Sequence, residues 1–201
     1  DGSYTLDSGD LTGLTVTPGE NSDEDFSLNV TATSTEADGG DTSSVTGTID
    51  VSVAADADAP TLVMDTTAEG TEDGAISLDI ASGLTDTDGS ESLSITIEGV
   101  PDDAVLQNGD GDVLEANPDG SYTLDAGDLE GLNVTPGENS DEGFSLNVTA
   151  TSTEGEGGDT ATTTGTIEVS VGADADAPTL VMDNTAEGTE DGAISLDIAS
   201  G

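Results

Sequence analysis

The chain has 201 residues and carries 45 Asp and Glu but no Lys, Arg or His, so its formal net charge is −45. No side-chain salt bridge is possible, and such a surface is repelled by nucleic acid and by anionic membranes. Because Cys is also absent, disulfides and thiolate metal sites are excluded, and only oxygen ligands remain, which favour hard cations such as Ca²⁺.

The sequence contains a long internal repeat. Positions 1–83 recur at 119–201 without insertion or deletion, and 71 of these 83 positions are identical. A period of 118 residues is the length of a whole domain, which indicates a slice of a tandem array. The short acidic segment Ala54–Pro60 and its copy Gly172–Pro178 mark the boundaries. We therefore expect the second half of one repeat at 1–59, a complete repeat at 60–177 and the start of another at 178–201.

Apolar residues alternate with polar ones along several segments of the complete repeat. In chain order these segments are Ile76–Ile80, Leu93–Ile97, Tyr122–Leu124, Phe144–Thr151 and Thr166–Val171. Alternation of this kind, rich in Thr, Val and Ile, predicts half-buried antiparallel strands, and no segment has a helical period. About seven strands per repeat predict an all-β chain of tandem immunoglobulin-like antiparallel β-sandwiches, arranged end to end as a rod.

The acidic residues collect in loops and linkers, whereas the outward strand positions are mostly Ser, Thr and Asn. Ca²⁺ takes 6–8 oxygen ligands, so clustered carboxylates in turns predict calcium sites, and a thin core without disulfides needs such a staple. The candidate ligands are Asp56 and Asp58 (copies Asp174 and Asp176), Glu69, Glu72 and Asp73 (copies Glu187, Glu190 and Asp191), Asp86, Asp88 and Glu91, and Glu154 and Glu156 (copies Glu36 and Asp38).

Two further acidic turns are weaker candidates. Asn108–Asp112 has the spacing of part of an EF-hand loop, with Asp110 and Asp112 as ligands, but an Asn-Gly hairpin turn explains it equally well. Asp102 and Asp103 lie in another acidic turn. At every candidate position a solvated surface acid is the alternative, and for the whole chain a salt-adapted acidic coat is the alternative to specific calcium sites.

Leu146–Glu154, Gly165–Val171 and Asp174–Pro178 resemble the closing strands and calcium linker of a cadherin repeat. Asp86–Asp88 followed by Leu93–Ile97 resembles the cadherin Asp-x-Asp loop and its next strand. The whole chain is more similar still to the extender repeats of giant bacterial RTX adhesins, although it lacks their glycine-rich calcium nonapeptides. This resemblance implies type I secretion, an extracellular location on the bacterial surface, and folding in calcium.

The resemblance to cadherins also implies where the ions bind. The first junction would use Asp56 and Asp58 with Asp86, Asp88 and the Glu154–Glu156 loop, and the second would use Glu72 with Asp174 and Asp176.

Three classes of function compete. The favoured hypothesis is a calcium-rigidified spacer that projects the ligand-binding region of an adhesin for surface attachment and biofilm formation. A repeat that itself binds a carbohydrate or a protein is the alternative, which the absence of Trp and the presence of only two Tyr and two Phe disfavour. An enzyme would have to rely on a carboxylate pair alone, so we expect none. The expected partners are neighbouring repeats within a monomeric rod, with no nucleic acid, membrane insertion or small-molecule substrate.

Overall fold

The computed structural model describes residues 2–201, and it is an all-β structure. Its strands are β1 (Phe26–Thr35), β2 (Thr42–Val51), β3 (Thr61–Met64), β4 (Thr67–Thr71), β5 (Ile76–Ser77), β6 (Ile80–Gly83), β7 (Glu91–Glu98), β8 (Val105–Gln107), β9 (Tyr122–Leu124), β10 (Asn133–Thr135), β11 (Phe144–Glu154), β12 (Thr160–Gly172), β13 (Leu180–Met182) and β14 (Ile198–Ser200). A single 3-10 turn, Ala126–Leu129, is the helical element of these residues. No helix within 2–201 has the length and hydropathy needed to span a bilayer.

Residues 60–177 contain the core. A five-stranded sheet has the order β4-β12-β11-β7-β9, and a three-stranded sheet has the order β5-β10-β8. Leu146 and Ile95 from the first sheet and Leu106 and Val134 from the second are each 0% exposed and belong to one apolar cluster. The alternation in sequence places these side chains on one face of each strand. Two sheets that share one core are consistent with the predicted β-sandwich.

Two details of the predicted strands are wrong. The segment Ile76–Ile80 is not one strand, because β5 ends at Ser77 and β6 begins at Ile80. Between them the Leu78 amide donates to the Leu132 carbonyl, and β6 then pairs with β3 rather than continuing in the sheet of β5. In addition, β12 pairs with β4 in parallel, so the strands are not all antiparallel as expected.

The flanking segments form small separate sheets. β1 and β2 pair as an antiparallel hairpin from Phe26↔Val51 to Thr35↔Thr42, and β13 pairs with β14. Most of their apolar side chains are exposed, including Val30 and Ile49 in the hairpin, whereas Phe26 and Val51 at its open end are half-buried. In these flanks the alternating pattern thus produces strands without a covered face.

Candidate cation site at the linker

The first linker is fastened to the end of the complete repeat through its backbone. The Asp58 amide donates to Glu91 Oε1 at 2.7 Å, and the Ser152 hydroxyl donates to the Asp58 carbonyl. Two residues further along the linker, the Pro60 carbonyl accepts a hydrogen bond from the Thr163 hydroxyl at 2.7 Å. The linker therefore enters the repeat over the start of β12 and the end of β11.

A pair of buried glutamates lies beneath this linker. Glu91 opens β7 and Glu154 closes β11, and the two residues are direct cross-strand partners. Glu91 is 9% exposed and Glu154 is 4% exposed, yet the Oε2 atom of each has no hydrogen-bond partner. Among the described residues, one other buried side-chain oxygen lacks a hydrogen-bond partner, Oδ1 of Asn133. Burying a carboxylate oxygen without a hydrogen-bond donor costs free energy, and a positive charge close to this pair would reduce that cost.

The same pair is electrostatically strained. Burial raises the pKa of Glu154 above its ordinary value, and the neighbouring carboxylate of Glu91 raises it further. A hydrogen bond from Ser90 opposes this rise in the pKa, while the charges of Asp23 and Asp86 add to it. Since the chain has no cationic side chain, nothing within it can neutralise this group.

The loop before β7 contributes further carboxylates. Asp86 is 5% exposed, and its Oδ1 accepts the Asp88 amide at 2.8 Å. Asp88 in turn accepts the Ser90 amide at 2.8 Å, and its hydrogen bonds to the side chain and backbone of Ser90 lower the pKa of Asp88. Two successive Asx turns therefore hold these carboxylates at the end of the sandwich.

Glu154, Asp86 and the linker line a cavity of about 490 Å³, whereas Glu91 and Asp88 lie outside its lining. The carboxylates that line it are those of Glu20, Asp23, Asp56, Asp58, Asp86 and Glu154. The structure therefore brings together four residues that the sequence predicted as ligands. Glu20 and Asp23, from the turn that precedes β1, were not predicted. Their turn recurs at 138–141, and its acids on the loop before a long strand are the signal that could have identified them.

A second predicted pair meets at the other end of the repeat. The Asp174 amide donates to Glu72 Oε1 at 2.8 Å, and Glu72 is 7% exposed. The Glu72 amide donates to the Gly172 carbonyl at 3.0 Å, so this turn closes on the end of β12. Its neighbour Asp73 is exposed and has φ +62°, in the left-handed region that Asp tolerates better than most residues.

The remaining predicted ligands lie exposed and outside the cavity. Glu156 follows β11 in an exposed turn, and Glu69 lies on the outer side of β4. The others with exposed side chains are Glu36, Asp38, Asp102, Asp103, Asp110, Asp112, Asp176, Glu187, Glu190 and Asp191.

The turn at Asn108–Asp112 has the features of the hairpin alternative. The Gly111 amide donates to the Asn108 carbonyl, and the Asp112 amide donates to Asn108 Oδ1, both at 3.0 Å. Gln107 and Val113 form a bridge across its base. A local turn therefore accounts for this sequence without an ion.

Within residues 2–201, no three carboxylates converge closely enough to form a ready ligand set. The fit to a cation rests instead on the donors around the cavity, which are carboxylates, carbonyls and hydroxyls, and on the two unpartnered Oε2 atoms. Oxygen donors of this kind suit Ca²⁺, whose coordination is flexible in number and geometry, better than Zn²⁺ or Cu²⁺. Comparison with known proteins found no family model that matches the chain and no matching curated protein.

Proposed function

We propose that the chain is a calcium-rigidified structural spacer built from tandem immunoglobulin-like repeats. The observation that carries this proposal is the buried Glu91–Glu154 pair, whose Oε2 atoms lack partners in a chain without any cationic side chain. A bound divalent cation would coordinate both oxygens, and its attraction for each carboxylate would offset the repulsion between them. Because the linker residues Asp56 and Asp58 line the cavity that Glu154 also lines, that ion would also fix the linker to the repeat.

The two linkers together suggest how every junction is held. Asp58 binds Glu91 of the repeat that follows it, and Asp174 binds Glu72 of the repeat that precedes it, each through a backbone amide. Asp56 is the copy of Asp174 at the 118-residue period. If both contacts are mapped onto one linker by this period, that linker is held by a glutamate of the preceding repeat and by a glutamate of the following repeat. Ions at the linker would then keep successive repeats in line, as a rod requires.

Such a spacer has no catalytic task, and its partners are neighbouring repeats of the same chain. We place it outside the cell, on a bacterial surface, as the extender of an RTX-type adhesin that carries a distal ligand-binding region for attachment and biofilm formation. Extracellular calcium would then fold and stiffen the array. These assignments rest on the resemblance of the repeats and on the acidic, cysteine-free composition.

The experiment that tests the ion site compares thermal unfolding in chelator, in excess NaCl and in CaCl₂ for the parent chain, Glu154→Gln and Glu36→Gln. Glu36 is the copy of Glu154 and is exposed, so Glu36→Gln is the matched control. A cation at 100 times its dissociation constant adds about 2.7 kcal/mol per site. We expect calcium to raise the Tm of the parent and of Glu36→Gln well beyond the effect of NaCl, and to raise that of Glu154→Gln much less.

If NaCl stabilises the parent as strongly as calcium, a nonspecific acidic coat explains the composition and the proposed ion site is wrong.

Small-angle scattering then tests the spacer role separately. Chelation should make the particle shorter or more flexible, and Asp56→Asn with Asp58→Asn should do the same in calcium. A scattering profile that stays rigid and unchanged after chelation would contradict the role of the linker ions.

A further inference from the structure

The linker segment, defined as 56–61, is joined to the repeat through a run of consecutive carbonyl groups. Each carbonyl of residues 58–61 accepts a hydrogen bond from a side-chain hydroxyl, and the donors are, in that order, Ser152, Thr85, Thr163 and Ser82. Residues 58–60 belong to no strand. These hydroxyls therefore take the place of the backbone partners that a sheet would give the same carbonyls.

The donor residues, which we call the hydroxyl clamp, approach the linker segment from two parts of the fold. Ser152 and Thr163 lie in the β11–β12 hairpin, whereas Ser82 lies in β6 and Thr85 lies in the loop after it. Ser152 is 0% exposed, and the bonds from Thr85, Thr163 and Ser82 are 2.7, 2.7 and 2.8 Å long. Because the donors alternate between the hairpin and β6 with its loop, residues 58–61 are held from both sides.

The bonds of the hydroxyl clamp do not depend on an ion. A hydroxyl is a neutral donor, and a carbonyl accepts its hydrogen bond with or without a cation nearby. The neighbouring contact, from the Asp58 amide to Glu91 Oε1, leaves the unpartnered Oε2 of Glu91 free for a cation. The repeat therefore fixes this end of the linker segment before any ion enters the cavity.

The other end of a linker is fixed by a single amide. Asp174, the copy of Asp56, donates its amide to Glu72 Oε1 of the repeat that precedes it. Mapped onto one linker by the 118-residue period, the fixed groups are the amide of Asp56 and everything from the amide of Asp58 onward. Only the two soft backbone dihedrals of Asp56 and of Ala57 lie between them.

We propose that Asp56 and Ala57 form the hinge of the linker and that the hydroxyl clamp confines the motion of the junction to these residues. This inference rests on the proposed spacer function, in which an ion at the cavity makes the junction rigid. The ion then has to order a short hinge rather than a whole linker, and each residue already ordered saves conformational entropy. The clamp residues are positioning residues, because they hold Asp58, which lines the cavity, in place for the ion.

The test measures backbone NMR order parameters of the full chain in chelator, where no ion contributes. The amides of residues 58, 59 and 61 and of Asp174 should keep values of about 0.85, whereas those of Asp56 and Ala57 should fall below about 0.6. Added CaCl₂ should then raise the values of Asp56 and Ala57.

The possible results separate the hinge from the ion site. Low values throughout 56–61, a low value at Asp174, or values at Asp56 and Ala57 that stay high in chelator would each overturn the proposed hinge. If the chelator pattern is as expected but calcium leaves Asp56 and Ala57 mobile, the hinge and the clamp are supported and the ion site of the proposed function is wrong.

Variants of the clamp make the test specific. Thr163→Val and Ser152→Ala should each lower the protection of the Asp58 amide against exchange about five-fold, the factor that one net hydrogen bond contributes. Thr163→Ser, which keeps the hydroxyl, should retain the protection of the parent. Ser34→Ala is the matched control, because Ser34 is the exposed copy of Ser152 and donates to the Ser43 carbonyl instead of a linker.

A further readout distinguishes a loosened linker from a damaged fold. Exchange in β7, which lies between β11 and β9, should be the same in all four variants and in the parent. Thr163→Val is suited to this comparison, because the copy of Thr163 is Val45, so the repeats themselves use valine at this position. If Thr163→Val and Ser152→Ala both keep the protection of the parent at Asp58, the hydroxyl clamp does not position the linker and the proposal is overturned.

Discussion

The hairpin of β1 and β2 and the hairpin of β11 and β12 have nearly the same sequence and the same register. Phe26 faces Val51 in the first, and their copies Phe144 and Val169 face each other in the second. The surroundings differ completely, because β11 also pairs with β7 and β12 also pairs with β4. As a result Leu28 is 37% exposed, and its copy Leu146 is 0% exposed.

This comparison separates what a segment determines from what its neighbours determine. The hairpin forms in both places because its alternation and its short connecting loop are local. The short strands behave differently, since β9 (Tyr122–Leu124) is a strand only where β7 lies beside it, and its copy at 4–6 is not a strand. Local pattern therefore decides register, and partner segments decide burial and the existence of the shortest strands.

The largest expected difference between the two hairpins comes from truncating the same leucine side chain in each of them. Leu146→Ala should destabilise the complete repeat by about 2–5 kcal/mol, because it leaves a cavity in a closed core. Leu28→Ala should cost less than about 0.5 kcal/mol, as is usual for surface positions. Chemical denaturation of both variants measures the difference. Equal losses would mean that the first hairpin is as well covered as the second.

In metal-free buffer, the pH dependence of stability should distinguish Glu154 in the second hairpin from its exposed copy Glu36 in the first. Because the pKa of Glu154 is raised in the folded state, the native chain holds more protons than the unfolded chain between the ordinary and the raised value. Stability conferred by protonated Glu154 is thus present below the ordinary glutamate pKa and is lost as the pH rises through the folded pKa.

Melting temperatures measured across this window check the sign. Glu154→Gln should flatten the fall in Tm and should melt above the parent at neutral pH without metal, while in calcium it should lose stabilisation. Glu36→Gln should keep the slope of the parent, since Glu36 is exposed. A Glu154→Gln variant with the same slope as the parent would show that Glu154 is not the group responsible.

The fold was predictable where the sequence carries a period. The alternation in Phe144–Thr151 and Leu93–Ile97 lies within β11 and β7 as expected. The break within Ile76–Ile80 was not predictable, because all three apolar residues stay buried on either side of it, so the alternation is unbroken. The parallel pairing of β4 with β12 leaves no local trace either, since it joins residues about 100 positions apart.

The candidate site was predictable in its residue types and only partly in its members. Asp56, Asp58, Asp86 and Glu154 line one cavity, as clustered carboxylates near the linker suggest. The burial of Glu154 and Glu91 could not be read from the sequence, because it depends on the cross-strand pairing of β7 with β11. Exposed Asp176 and Glu156 have the same local sequence character as buried members, so local composition alone does not distinguish them.

The smallest effect is expected at a glycine that both hairpins share. A Cβ at Gly165 would lie 2.4 Å from Cε and 2.9 Å from Sδ of Met64, whereas a Cβ at Gly47 would meet nothing within 4 Å. Gly165→Ala should therefore cost about 1 kcal/mol, since the flexible end of Met64 must move. Gly47→Ala should be neutral or stabilise its hairpin by about 0.5 kcal/mol, because alanine restricts the unfolded chain.

Amide exchange in β2 and β12 measures the two substitutions separately. Protection should fall in β12 for Gly165→Ala and should hold or rise in β2 for Gly47→Ala. If both alanines act alike, then Met64 does not distinguish the covered hairpin from the open one at this position, and the contact between β3 and β12 is looser than its geometry indicates. Opposite signs at two copies of one glycine would instead show that neighbouring segments, and not the local sequence, decide the outcome.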